Sequence, residues 1–212
     1  AHVTSDRVEI WMGTQNPDGA IQLAAKTLGL SPEVIYLHTT FLGGGFGRRA
    51  VNDELVQAVL IAKEIGRPVK VLWTREEDMQ QDRYRPQAAI RFEAALDTEG
   101  RPTVFKAKTA VGSIGRSLGW NKAENGIEPS AVEGLVNLPY RIPHQSIDCI
   151  LKNTHVPVMF WRSVGSSQNA FAVESFIDEL SFTAKKDSLL FRRELLADRP
   201  DFLQVLEVLA EK

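Results

Sequence analysis

The chain has 212 residues, 43% of them hydrophobic and 25% charged, with 25 lysines and arginines against 27 aspartates and glutamates. That is the make-up of an ordinary globular protein, and a net charge of −2 leaves no global basic field of the kind a nucleic-acid binder carries. A lone cysteine, Cys149, excludes a disulfide or a cysteine-held iron–sulfur cluster within these residues, and no apolar run approaches the roughly 20 residues that a bilayer-spanning helix needs.

Strand and helix signals alternate over the first third. VEIWM, Val8 to Met12, predicts a strand ending at Gly13, and GTQNPDG is turn chemistry in which Pro17 opens a helix running to about Leu28. A second strand, Val34 to Thr39, runs into FLGGGFGRR, Phe41 to Arg49. Asn52 is placed to cap a helix whose apolar residues Leu55, Val59, Ala62 and Ile65 recur at helical spacing before Gly66 and Pro68 stop it. VKVLW, Val69 to Trp73, predicts a further strand, and the charge-rich TREEDMQQDRYR after it reads as a solvated cluster of local ion pairs. Ala88 to Leu96 and Pro102 to Val111 read as a hairpin across DTEGR, so antiparallel pairing enters here. Gly112 to Pro129, rich in Gly, Ser and Asn around Trp120, reads as a long surface loop. A last strand is expected over Gln145 to Leu151, and after FWRSVGSSQ the chain reads as helical to its end, with Pro200 opening the terminal helix.

This order predicts an α+β (mixed α/β) fold, sheets with covering helices, divisible into an α/β half over 1–86 and a hairpin with C-terminal helices over 87–212. The chain begins almost inside its first strand, as a segment of a longer polypeptide would.

The glycine loop poses the chemical question. A strand, a run of glycines and a helix start aim backbone N–H groups at an anion or an electron-rich oxygen, because glycine permits close approach and positive φ. GGGFGRR has neither the Walker A spacing nor G-x-G-x-x-G. The glycines alone are also consistent with a tight strand-to-helix turn, and Phe46 with either a core plug or a lid over a planar ligand. Arg48 and Arg49 suit cofactor phosphates and a surface role equally. None of His2, His38, His144 and His155 stands at metal-ligand spacing with another, and Cys149 reads as a small buried hydrophobe in a strand.

Five blocks in order extend the pattern: GTQNP at 13–17, GGGFGRR at 43–49, TREEDM with RYRP at 74–86, VEGLVNLPY at 132–140, and VPVMFWRSVGSSQNAFAVESFIDEL at 156–180. Together they resemble the molybdenum-binding large subunit of the xanthine oxidase or aldehyde oxidase family, over Val8 to about Leu196. Within that family the likeness is strongest to the branch of the isoquinoline 1-oxidoreductase beta chain. The resemblance implies that 1–212 is the first molybdenum-cofactor domain of a longer subunit. It implies a molybdopterin cofactor, in the cytosine dinucleotide form, carrying molybdenum without a direct protein ligand. The expected cofactor-binding residues are Gln15, whose carboxamide donates to an oxygen on the metal, Gly44, Gly45, the backbone amides of Phe46 and Gly47, and Arg162. Arg162 stands in FWRSVG where the family has FRGFG, with Ser163 and Val164 departing from that pattern and Gly165 retaining its last glycine. Arg85 matches a substrate-side arginine only across a one-residue gap.

The implied reaction is hydroxylation of an electron-poor carbon in an aldehyde or aromatic N-heterocycle, with water as oxygen source and electrons leaving through iron–sulfur clusters on a partner subunit or domain. The family's general base, a glutamate in a GxGE-type loop, has no match here: Gly126-Ile127-Glu128 and Glu133-Gly134 both lack the flanking pattern. The catalytic base is therefore expected outside this chain, and the isolated segment is expected not to turn over. A cofactor-free assembly domain of the same fold is the competing reading, with a free-standing nucleotide-binding protein behind it. The sequence gives neither substrate nor electron acceptor. Location stays open between the cytoplasm and the periplasmic face of the cytoplasmic membrane, where that branch often works.

Overall fold

The computed structural model describes residues 1–120 and 125–212; the backbone groups into two compact units, 1–82 with 160–162, and 83–159 with 163–212. The first unit is built on a three-stranded sheet of β1 (His2–Val3), β2 (Val8–Met12) and β3 (Ile35–Thr39), β1 antiparallel and β3 parallel to the central β2. Two helices cover it, α1 (Pro17–Leu28) and α2 (Asp53–Ile65). In α1 the Asn16 side chain accepts the Gly19 N–H, Pro17 stands where its missing N–H is harmless, and Gly29 ends the helix in the left-handed conformation. Its inward face is Ala20, Ala24 and Ala25, and these small side chains let α2 come close with Val59 and Ala62 over Val8 and Ile10.

Three expectations for this unit need correction. Val69 to Trp73 forms no strand: Val69 exchanges two backbone hydrogen bonds of 2.8 Å with Ala1, and the pairing goes no further. The charged run beyond it is not merely solvated but contains a short helix, α3 (Arg75–Gln81), whose N-cap Thr74 accepts the Glu77 N–H and whose first turn carries Glu76, Glu77 and Asp78 at the favourable end of the dipole. Asn52 does precede α2, but its side chain makes no capping bond; it is buried and used elsewhere.

The second unit holds a sheet of β4 (Ala88–Leu96), β5 (Pro102–Val111) and β6 (His144–Leu151), the expected hairpin with β6 added parallel to β5. Phe105 on the central strand is fully buried and meets Phe92 and Phe176 at ring-centre separations of 5.5 and 6.0 Å. Phe176 lies on α6 (Ser166–Thr183), followed by α7 (Ser188–Leu195) and α8 (Pro200–Ala210), the helical end that the spacing predicts. The expected loop 112–129 contains a single helical turn, α4 (Ile114–Ser117), and a second, α5 (Pro129–Val132), begins at its end; residues 121–124 of that loop lie outside the described residues. No described helix is long and apolar enough to cross a membrane.

Candidate functional site

Because β2 and β3 are adjacent and parallel, the segments leaving their C-terminal ends, Gly13 to Asn16 and Phe41 to Gly47, emerge side by side. That is where open α/β sheets bind ligands. A polar buckle fastens the two segments. Thr14, buried, donates through Oγ1 to Asn52 Oδ1 at 2.8 Å; Asn52 Nδ2 donates back to the Asn16 carbonyl at 3.3 Å, and the Gln15 N–H to the Arg49 carbonyl at 2.9 Å.

Gln15 is thereby laid across the glycines. Its Oε1 accepts the Gly47 N–H at 2.9 Å. An N–H can only meet an oxygen, so this bond fixes the carboxamide's orientation and leaves Nε2 as an outward donor. A Cβ on Gly45 would stand 2.7 Å from Gln15 Cγ and closer still to the carboxamide, and one on Gly47, at φ +87, would stand 2.8 Å from the Phe160 carbonyl oxygen. The glycines are required here by the approach of Gln15 on one side and of the 160–162 backbone on the other. Among the described residues, the N–H groups of Gly43, Gly44, Gly45 and Phe46 have no protein acceptor.

Phe46 is not a core plug: it is half exposed, sits at φ +51, and lays its ring edge over Gly44, where a Cβ would meet Cε2 at 2.5 Å. Of the two amides expected to face a ligand, that of Gly47 donates to Gln15 Oε1, and that of Phe46 has no protein acceptor among the described residues. Arg162 is exposed and belongs to the same compact unit as Gln15 and the glycine loop; Arg85 belongs to the other, where its Nη1 donates to the Val164 carbonyl at 3.1 Å.

The arginines after the glycines have inward tasks. Arg48 is buried with its guanidinium among Asp53 at 2.9 Å, Glu54 at 3.8 Å and Asp82, while Arg49 pairs with Glu54. Burial opposes the Arg48 charge, but Asp53 and Asp82 more than offset it and its pKa is raised. Burial, with a hydrogen bond shared with Asp53, pushes the Glu54 carboxyl up. Neither glutamate considered against the family's base is free. Glu128 is buried, accepting the Ile114 and Gly115 N–H groups at 3.1 Å and the hydroxyls of Ser113 and Ser130; Glu133 accepts the Gly165 N–H at 3.2 Å. Cys149 is half-buried in β6, and burial raises its thiol pKa. No group of three or more potential metal-ligating side chains occurs among the described residues.

Sequence reasoning missed Thr14 and the true use of Asn52, because an asparagine before a helix reads as a cap whether or not it is one. It also missed Glu133 as a backbone partner, for which no spacing signal exists.

Comparison with known proteins gives this geometry its context. Residues 1–196 match the molybdopterin cofactor-binding domain family. The chain is 33% identical over 207 residues to the beta chain of isoquinoline 1-oxidoreductase from Brevundimonas diminuta, covering 96% of this chain and 26% of that protein. It is 26% identical over 219 residues to a nicotinate dehydrogenase subunit from Pseudomonas putida, covering all of this chain and 18% of the relative. Among solved structures, quinoline 2-oxidoreductase from Pseudomonas putida 86 shares the fold at a TM-score of 0.81 and 21% identity, over 97% of this chain and 29% of that one. The chain thus spans about a quarter or less of the curated relatives' length, and it belongs to the molybdopterin cofactor-binding domain family of oxidoreductase large subunits.

Proposed function

We propose that this chain seats the molybdopterin cofactor of a molybdenum hydroxylase that oxidises an aldehyde or aromatic N-heterocycle with water as oxygen source. The observation that carries this reading is the convergence of the Gln15 carboxamide on the glycine loop. The residues present fit an oxygen-bearing group: Gln15 Nε2 points away from its pinned oxygen, and the Gly43 to Phe46 amides carry no protein acceptor among the described residues. The glycine loop itself presents no carboxylate, and Arg162 is exposed in the same compact unit.

When bound, the cofactor supplies the two-electron redox chemistry, and the chain supplies position and charge stabilisation. Gln15 Nε2 and the Phe46 N–H are donors held in place before any ligand arrives, so they need no reorganisation when negative charge develops on an oxygen between them. We assign Arg162, exposed in the same compact unit, to the cofactor's negative charge, and the half-exposed Phe46 ring to covering the seat. We assign the dinucleotide as the cytosine form, and the partners as a small iron–sulfur protein and the rest of this subunit. The catalytic base is placed outside the chain, since Glu128 and Glu133 are both engaged with backbone groups. General-base assistance contributes about 10²–10⁴-fold, so the chain alone is expected not to turn over.

The test is metal analysis of the complete polypeptide co-expressed with its electron-transfer partner. Near-stoichiometric molybdenum, lowered by Gln15→Ala, supports the reading. Its absence, with the fold intact, favours a cofactor-free assembly domain instead.

A further inference from the structure

The chain turns sharply after Arg162 through two consecutive non-glycine residues in the left-handed conformation, Ser163 at φ +68 and Val164 at φ +41. For a β-branched residue that region is an outlier, and it persists only where the surroundings over-determine it. The surroundings here act on one peptide group. Its carbonyl, from Val164, accepts from Arg85 Nη1 at 3.1 Å; its N–H, from Gly165, donates to Glu133 Oε2 at 3.2 Å. A guanidinium therefore faces the negative end of the peptide dipole and a carboxylate the positive end, so both bonds are charge-assisted and both resist a flip of the plane. Glycine at 165 is what admits this arrangement, because a Cβ there would overlap the Ser130 carbonyl oxygen and come within 3.3 Å of Glu133 Cβ.

We propose that Arg85 and Glu133 are a pair of positioning residues that lock the Val164–Gly165 peptide plane, and through it the strained turn at Ser163 and Val164. Arg85 is then a holder of the loop and not a substrate contact. An arginine serving only surface charge would have no reason to meet the carbonyl of a turn in which two consecutive residues are strained, and Glu133, which accepts the N–H of Gly165 at the N-cap of α6, holds the other end of the same peptide. The consequence for the cofactor rests on the function proposed above, whereas the lock itself does not.

The experiment uses the complete polypeptide with its electron-transfer partner and compares wild type with Glu133→Ala and Arg85→Met, each alone and with Val164→Gly. Hydrogen–deuterium exchange over 163–165 is expected to quicken about tenfold in either single variant. Molybdenum retained per polypeptide, and the Mo(V) electron paramagnetic resonance line shape, are expected to change with it. Val164→Gly should restore molybdenum retention and line shape, because glycine occupies the left-handed region without strain; a purely structural loss would not be rescued this way. Unchanged exchange in both variants, or no rescue by Val164→Gly, overturns the lock. If Glu133→Ala fails to fold, Arg85→Met at the other end of the same peptide decides the matter. A wild type without molybdenum whose exchange still responds would sink the cofactor reading and leave the lock standing; a molybdenum-loaded wild type with indifferent variants would do the reverse.

Discussion

Alanine at Gly45 should cost this protein stability through Gln15 and through nothing else. Gly45 is not among the glycines at positive φ, so its backbone angles are open to an alanine, and the obstacle is the Gln15 side chain, whose Cγ would lie 2.7 Å from the new methyl group. Accommodating the methyl group means driving the carboxamide off the loop. That breaks the Gly47 N–H to Oε1 bond, about 0.5–1.5 kcal/mol, and adds repacking strain of about 1–3 kcal/mol. Against this stands a gain of about 0.4–1 kcal/mol from the stiffer unfolded chain. The net is roughly 2 kcal/mol of destabilisation, a fall in Tm of about 4–8 °C for a chain of this size.

A double-mutant cycle separates this mechanism from a general intolerance of the loop. In a Gln15→Ala background the obstacle is gone, so Gly45→Ala should become neutral or slightly stabilising, giving a coupling of about 2 kcal/mol between positions 15 and 45. Gly43→Ala is the internal control, since its Cβ would meet nothing within 4 Å, and it should leave stability within about 0.5 kcal/mol. Thermal unfolding of the four cycle members and the control reads all of this. A coupling under about 0.5 kcal/mol would refute the claim that Gln15 and the glycine loop form one packed unit.

Three further outcomes are expected. Gly165→Ala places a methyl group on the Ser130 carbonyl, which is backbone and has nowhere to go, so a loss above about 3 kcal/mol and poor soluble yield should follow; near wild-type Tm would contradict the geometry. Arg48→Met removes the cation that Asp53, Asp82 and, together with Arg49, Glu54 share, and should destabilise by about 3–5 kcal/mol, with partial recovery on acidification as the carboxylates are protonated, measured by urea unfolding at several pH values. Glu54 has a raised pKa in the folded state, so its contribution is fully present below the ordinary carboxylate value and is lost as pH rises through the raised one; Glu54→Gln does not titrate, and its stability relative to wild type should therefore improve as pH climbs from about 4 to 7. A flat difference across that range would remove Glu54 as a strained carboxyl.

What the sequence made legible is the set of local decisions. α1 begins at Pro17 and ends at Leu28, as its cap and its closing glycine dictate, and β4 and β5 fall on the residues that alternation and the DTEGR turn mark out. These elements are specified by neighbours a few residues apart. The misses depend on distant partners. Whether Val69 to Trp73 becomes a strand is decided by the backbone that pairs with it, and among the described residues only Ala1 does. One miss is local instead: Thr74 to Gln81 contains both a surface ion-pair pattern and a capped helix, and the cap decides. For the site, the five motif blocks pointed to Gln15 and the glycines, but the partner of each amide followed only from coordinates: nothing in GGGFG says that the Gly47 N–H meets Gln15 while the four amides before it have no protein acceptor among the described residues.

The left-handed residues Ser163 and Val164 bear on how a turn is made rigid. A glycine where Ser163 stands would take a left-handed angle at no cost, and would equally leave it; serine followed by valine takes it only under compulsion, at about 1–3 kcal/mol per strained residue. Arg85 and Glu133 supply that compulsion at the two ends of one peptide, just as Thr14 and Asn52 fasten the glycine loop at a point away from its open amides. In both turns the backbone is held by bonds that do not involve a ligand. A site held in this way is preorganised: its donors keep their directions when empty, so binding energy is not consumed in ordering the loops. Ser163 and Val164 therefore exchange backbone freedom for a geometry fixed by two charged side chains, and the turn should lose its shape only when one of them is removed.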